Sequence, residues 1–226
     1  MSNKTIKTII VDDHDLVRTG IKHMLNDVSG IKVVGEASSG EEAIKISREL
    51  KPDVVLMDVK MPGIGGLGAT RKLIRINPDV KILIVTVCDD DLFPSRLLQA
   101  GAFGYLTKGA SLKEMIKAIY TIHSGQRYIS PEIASQLVIK HLTASSPTPV
   151  EQLSERELQV TLMIINGTKV QEIADRLHLS SKTVNSYRYR IFEKLKVKND
   201  VELTHYCIRH GLIEDSTLSI FEDDEP

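Results

Sequence analysis

Cysteine is nearly absent: the 226 residues carry two, Cys88 and Cys207, far apart in the chain. A disulfide between them is not expected, which suits a reducing cytoplasm. No hydrophobic run approaches the length of a membrane span, and the amino terminus lacks the basic-then-apolar order of a secretory signal. A cytoplasmic protein with no membrane partner is therefore expected. The seven histidines include no His-Glu-x-x-His pair, so a zinc enzyme has no support. Pro62-Gly63-Ile64-Gly65-Gly66 is glycine-rich but lacks the Gly-Lys-Ser/Thr of a P-loop, and reads as a turn. Net charge is also nearly missing, at −1, but this neutrality hides an asymmetry. Lys182 to Lys198 holds six basic residues and one acidic one, Glu193, whereas the segment after Ile213 is acidic without lysine or arginine. A basic stripe in a neutral chain fits either nucleic-acid binding or a solvated helix face, and charge alone leaves the two equal.

What is present is organised around Pro52-Asp53-Val54-Val55-Leu56-Met57-Asp58-Val59-Lys60-Met61-Pro62-Gly63. The apolar run ends in a carboxylate and then in a turn, the pattern of a strand buried on both faces of a parallel sheet. Four further strands are expected at 5–11, 32–36, 81–85 and 104–107, alternating with helices. The first helix would place Leu16, Val17, Ile21, Met24 and Leu25 on one face; the second starts at Ser38-Ser39-Gly40-Glu41-Glu42. Five strands alternating with five helices predict an α/β doubly wound, five-stranded parallel sheet of the flavodoxin type. Its strand carboxyl ends share one edge, where open α/β sheets bind ligands. That edge gathers Asp12, Asp13, Asp58, Thr86 and Lys108.

Crowded carboxylates repel unless a cation sits among them. Mg²⁺ suits such a rim, because it accepts one or two carboxylates, keeps waters and takes phosphate oxygens for the remainder. Asp12 and Asp13 would hold the metal, leaving Asp58 as a nucleophile that forms an aspartyl-phosphate. Lys108 would meet charge on the phosphoryl oxygens, and Thr86 would hydrogen-bond one of them.

These residues, at these strand ends, closely resemble the receiver domain of two-component response regulators across residues 5–122. The resemblance implies that Asp58 accepts phosphate from a sensor histidine kinase or a phosphotransfer domain. It further implies that the Lys60 carbonyl completes the metal shell beside Asp12, Asp13 and Asp58. Tyr105, three residues before Lys108, falls where receivers carry an aromatic that swings inward when the threonine moves. Gly109 follows Lys108, where receivers often have proline.

Ser130-Pro131-Glu132 starts a connecting helix with Ile133, Leu137, Val138 and Leu142 on one face. Thr143-Ala144-Ser145-Ser146-Pro147-Thr148-Pro149 is the clearest linker. Beyond it, four short helices, the third basic, read as an all-α helix-turn-helix domain, although pattern alone fits a generic helical bundle nearly as well. Val184, Ile191 and Leu195 form the buried face of the third helix. Asn185 and Ser186 are then candidates for base edges, Lys182, Thr183, Arg188, Arg190 and Lys194 for phosphates, and Tyr189 for either. The expected organisation is a receiver at 1–123, connecting helix and linker at 124–149, helix-turn-helix domain at 150–213 and acidic tail at 214–226.

Leu153-Ser154-Glu155-Arg156-Glu157, Ile173-Ala174 and Leu179-Ser180-Ser181-Lys182-Thr183-Val184-Asn185-Ser186-Tyr187, with Lys194-Leu195, resemble the LuxR-type DNA-binding domain over roughly residues 150–212. Receiver and LuxR-type domain together resemble the NarL/FixJ class. Runs such as Ser124-Gly125-Gln126-Arg127-Tyr128 and Glu202-Leu203-Thr204-His205 are similar to the GacA/UvrY/LetA group. That likeness implies a transcriptional activator of small non-coding RNA genes, working on double-stranded DNA with RNA polymerase and as a homodimer when phosphorylated. Two other classes share some of these features. A haloacid-dehalogenase phosphatase also uses an aspartate nucleophile with Mg²⁺, but wants a second aspartate where this chain has Lys60. A kinase-binding adaptor that ignores DNA would leave the basic helix without a purpose. No enzyme activity is expected beyond phosphate acceptance and slow self-dephosphorylation.

Overall fold

The computed structural model describes residues 5–87, 93–143, 149–150 and 152–209. Cys88, most of the linker and the acidic tail lie outside the described residues. The chain divides into two units, residues 1–144 and 145–226.

In the first unit the order is β1 (Ile6–Val11), α1 (Asp15–Asn26), β2 (Ile31–Ala37), α2 (Gly40–Leu50), β3 (Val54–Met57) and α3 (Gly65–Ile76). It continues with β4 (Lys81–Thr86), α4 (Phe93–Gln99), β5 (Gly104–Thr107), α5 (Leu112–His123), β6 (Tyr128–Ile129) and α6 (Pro131–Thr143). The strands form one sheet in the order β2-β1-β3-β4-β5-β6, every neighbouring pair parallel. All four residues of β3 are buried, as a strand covered on both faces requires.

The sheet has six strands rather than the expected five. Tyr128-Ile129 pairs with Gly104-Tyr105, and Ser130 N–H donates to the Tyr105 carbonyl at 3.1 Å. Two half-buried residues leave no alternation to detect in sequence; pairing with β5 makes them a strand. The α1 stripe is also narrower than expected. Ile21 and Leu25 are buried and Val17 packs against the core, but Leu16 is 86% exposed and Met24 41%. Leu16 lies five residues from Ile21, about 140° around the helix, so both cannot face the sheet. On α6, Ile133 is buried whereas Val138 is exposed. Ser130 does not cap that helix with its side chain: its hydroxyl is buried and makes no hydrogen bond among the described residues.

The turn between β3 and α3 depends on glycine. Gly63 and Gly65 have positive φ, +78° and +61°. A Cβ on Gly66 would stand 2.1 Å from the Asp58 carbonyl oxygen. The helix can therefore sit directly on the backbone that carries Asp58, and Gly66 N–H donates to the Val59 carbonyl at 3.0 Å.

The second unit comprises α7 (Glu155–Ile165), α8 (Val170–Leu177), α9 (Ser181–Leu195) and α10 (Asp200–Arg209). A capping box starts α7: Ser154 Oγ accepts from Glu157 N–H and Glu157 Oε2 accepts from Ser154 N–H. α8 begins at Val170, after Lys169. Val184, Ile191 and Leu195 of α9 are buried with Ile173, Leu177, Leu203 and Cys207. Burial pushes the Cys207 thiol up to about 12, so this cysteine acts as a small core residue.

Glu157 also accepts from Lys194 Nζ at 2.6 Å, joining α7 to the end of α9. Burial raises its pKa, but the bonds from Lys194 and Ser154 outweigh that and hold the carboxyl below its ordinary range.

Two outcomes follow from this packing. Gly66→Ala should cost about 1–3 kcal/mol through overpacking, read as a fall in the urea midpoint of the receiver transition; a change within error would mean that α3 shifts without penalty. For Glu157, the folded pKa is the lower one, so its stabilisation is complete above the unfolded value and lost as pH falls through the folded value. Glu157→Gln should flatten this part of the acid-side decline in stability of the second unit; identical pH slopes for variant and parent would refute it.

Candidate functional site

The sheet ladders carry the chemistry to one edge. Asp12 N–H donates to the Ala37 carbonyl at 3.1 Å, Asp58 N–H to Val11 at 2.8 Å and Lys108 N–H to Thr86 at 2.8 Å. Each ladder runs one residue beyond its strand and so aligns the next side chain at the rim. Asp12 is 2% exposed and Asp58 3%. Lys108 Nζ lies 2.7 Å from Asp12 Oδ2 and 2.9 Å from Asp58 Oδ2, bridging the two carboxylates. Their other oxygens accept main-chain bonds, Asp58 Oδ1 from Val59 N–H at 2.7 Å and Asp12 Oδ1 from His14 N–H at 2.9 Å.

Burial pushes the Asp58 carboxyl above its ordinary value and the Asp12 charge adds to this, while Lys108 and the Val59 N–H oppose it. For Lys108, burial acts downward, but the hydrogen bonds and charges of Asp12 and Asp58 outweigh it and hold the ammonium above the ordinary lysine value.

Donor atoms of Asp12, Asp13, His14 and Asp58 all lie within 4.8 Å of one another. Three carboxylates gather here, two of them almost wholly out of water and bridged by one ammonium, and hard oxygen donors of this kind fit Mg²⁺. Lys60 follows in the turn before α3. Glu41, at the start of α2, steadies that turn by accepting from Ile64 N–H at 3.1 Å. His14 was not singled out from the sequence; its Nδ1 lies 3.0 Å from Asp13 Oδ1 at the mouth of the cluster, and the run Asp12-Asp13-His14 was the available signal.

Thr86 is 1% exposed and Tyr105 0%. Since Ile84 pairs with Tyr105 and Thr86 with Thr107, side-chain alternation places Thr86 and Tyr105 on the same sheet face. The Tyr105 ring is already inside the fold.

In the second unit, α9 exposes Lys182, Asn185, Ser186, Tyr189 and Arg190 opposite its buried stripe, Tyr189 by 66%. Ser186 Oγ donates to the Lys182 carbonyl at 2.9 Å, and Thr183 Oγ1 lies 2.8 Å from the capping Ser180 hydroxyl. Two basic residues of α9 are engaged by carboxylates of other helices. Arg188 forms a fork with Asp200, Nε to Oδ1 and Nη2 to Oδ2, both at 2.7 Å, and its guanidinium lies 5.3 Å from the Phe192 ring centroid. Lys194 bonds Glu157 and, at 3.3 Å, the Gln152 carbonyl. Asp200 and Glu157 come from other helices, so helical periodicity within α9 could not disclose these pairings.

Residues 8–120 match the response regulator receiver domain, and residues 151–207 match the luxR family of bacterial regulatory proteins. The chain is 63% identical over 211 residues to the response regulator GacA of Pseudomonas protegens, covering 93% of this chain and 99% of GacA. It is 55% identical over 215 residues to the response regulator UvrY of Escherichia coli K12, covering 95% and 99%. Among solved structures, RcsB from Salmonella enterica serovar Typhimurium, bound to promoter rprA in the presence of the phosphomimetic BeF3-, superposes with a TM-score of 0.69 at 27% identity. That match covers 90% of this chain and 98% of RcsB. Among the described residues no helix is long and apolar enough to cross a membrane. A buried acidic rim bridged by one lysine, followed by a helical unit with a polar, partly basic outer helix, agrees with these matches: the chain belongs to the two-component response regulators that join a receiver to a LuxR-type DNA-binding domain.

Proposed function

We propose that Asp58 is the phosphoacceptor, receiving its phosphoryl group from a histidine kinase or phosphotransfer domain, and that the modified protein controls transcription through α9. The Lys108 ammonium, held between Asp12 and Asp58, carries this reading. An oxygen of Asp58 attacks phosphorus, the donor's N–P bond breaks, and the electron pair leaves with the imidazole nitrogen. Asp12, Asp13, Asp58 and the Lys60 carbonyl would hold Mg²⁺, which when bound neutralises charge on the phosphoryl oxygens. Lys108, released from the Asp58 carboxylate as that group becomes an acyl phosphate, donates to a phosphoryl oxygen. The Thr86 hydroxyl donates to another, and Tyr105, on the same face, follows the threonine. Slow hydrolysis of the acyl phosphate resets the switch and is the extent of the enzyme chemistry.

In the second unit, Asn185 and Ser186 read base edges, Lys182, Thr183 and Arg190 hold phosphates, and Tyr189 serves either role. Arg188 and Lys194, which the sequence offers to phosphates, are better placed to fix the pose of α9, because Asp200 and Glu157 engage their head groups. One short helix offers few base contacts, so the active form is a homodimer on paired half-sites in double-stranded DNA, acting on RNA polymerase in the cytoplasm. The proposed targets are genes for small regulatory RNAs, as the sequence resemblance to the GacA/UvrY/LetA group implies.

Asp58→Asn should lose phosphate uptake from acetyl phosphate and Mg²⁺ while keeping the fold, as read by mass spectrometry; one aspartyl-phosphate remaining in that variant would move the nucleophile elsewhere. On DNA, Asn185→Ala should relax base preference at about 1–3 kcal/mol. Arg190→Ala should weaken specific and random sequences alike and reduce the slope of affinity against salt. Equal losses by both variants on both DNAs, measured by fluorescence anisotropy, would remove the proposed division of labour.

A further inference from the structure

Arg18 touches none of the atoms that would react, yet it grips the backbone between the two acidic residues that follow β1. Its side chain is 14% exposed, and Nη1 donates to the main-chain carbonyl of Asp12 at 2.7 Å. Nη2 bonds Asp15 Oδ1 at 2.5 Å, and Nε stands 3.8 Å from Glu36 Oε2 on β2. Glu36 is itself held by Lys22 Nζ at 2.5 Å. The guanidinium is thus braced from a neighbouring strand while one donor addresses the loop.

That carbonyl belongs to the rigid peptide plane joining Asp12 to Asp13. Asp12 is secured by other means: its N–H bonds Ala37, and its carboxylate bonds His14 N–H and Lys108. Asp13 is exposed, and its direction depends on how that peptide plane turns about the Asp12 Cα–C bond. We propose that Arg18 is a positioning residue of the cation site, orienting the Asp13 carboxylate by pinning the Asp12–Asp13 peptide. The inference rests on the reading of the rim as an Mg²⁺ site.

Charge and position make opposite demands here. A guanidinium near a divalent cation repels it, so if charge dominated, removing Arg18 would tighten Mg²⁺ binding. If positioning dominates, removal loosens it. The test is calorimetric Mg²⁺ titration of the full-length protein, parent against Arg18→Met, with initial phosphorylation rates from acetyl phosphate measured across Mg²⁺ concentrations. Arg18→Met should weaken Mg²⁺ binding by about tenfold, as loss of an outer-shell partner does. The Mg²⁺ concentration for half-maximal rate should rise in step while the rate at saturating Mg²⁺ is retained. Arg18→Lys, with one donor able to reach the carbonyl, should restore part of the affinity. Should Arg18→Met fail to fold, Arg18→Gln, too short for the carbonyl, takes its place with the same expected loss. Equal or tighter Mg²⁺ binding by the variant overturns the inference. Absence of Mg²⁺ binding by the parent protein overturns the metal reading and the inference together.

Discussion

The Lys108 ammonium between Asp12 and Asp58 is the interaction on which the first unit depends. Two carboxylates almost fully withdrawn from water cannot rely on solvent to screen each other. Unit charges about 4 Å apart interact by about 4 kcal/mol at an effective dielectric of ~20, a large share of any domain's net stability. One cation answers both carboxylates, and the fold presents it from the far side of β4. Any chemistry that converts Asp58 to another species therefore changes what Lys108 faces. The lysine backbone is bonded to the Thr86 carbonyl, so the same change is felt at the ends of β4 and β5 together.

The second unit uses charge differently. Arg188 and Lys194 rise from α9 but bond Asp200 at the start of α10 and Glu157 in the first turn of α7. A bidentate guanidinium–carboxylate fork fixes orientation as well as distance. These two pairs brace the helix, while Lys182, Asn185, Ser186, Tyr189 and Arg190 remain on the solvent side. Net positive charge on a helix is thus an incomplete guide to what the helix offers a polyanion.

Close approach is the other constraint. Gly66 lets α3 rest against the Asp58 carbonyl, and Glu41 ties the preceding turn to α2. β6 covers the outer edge of β5, which places Tyr105 in an interior strand rather than at a border. Movement of that tyrosine would have to be accommodated by packing on both sides of its strand.

Much of this was legible in the chain itself. Short β-branched apolar runs that end abruptly in Asp12, Asp58, Thr86 and Lys108 and alternate with amphipathic helices read as parallel strands, and such strands share a carboxyl edge. The stripe Val184, Ile191 and Leu195 determined the inner face of α9 by helical spacing alone. Helical spacing also separates Leu16 from Ile21, but local patterns could not say that Val138 faces solvent, because an apolar residue is placed by the surface opposite it. Nor could they reveal the two-residue strand β6, whose existence rests on hydrogen bonds to Phe103 and Tyr105. Partner choice among charges was likewise decided by the tertiary structure. Arg188 and Lys194 read as phosphate contacts, and Arg18 carries no signal at all, until residues from other segments are brought within hydrogen-bond distance, since sequence periodicity fixes a direction from the helix axis and not what waits there.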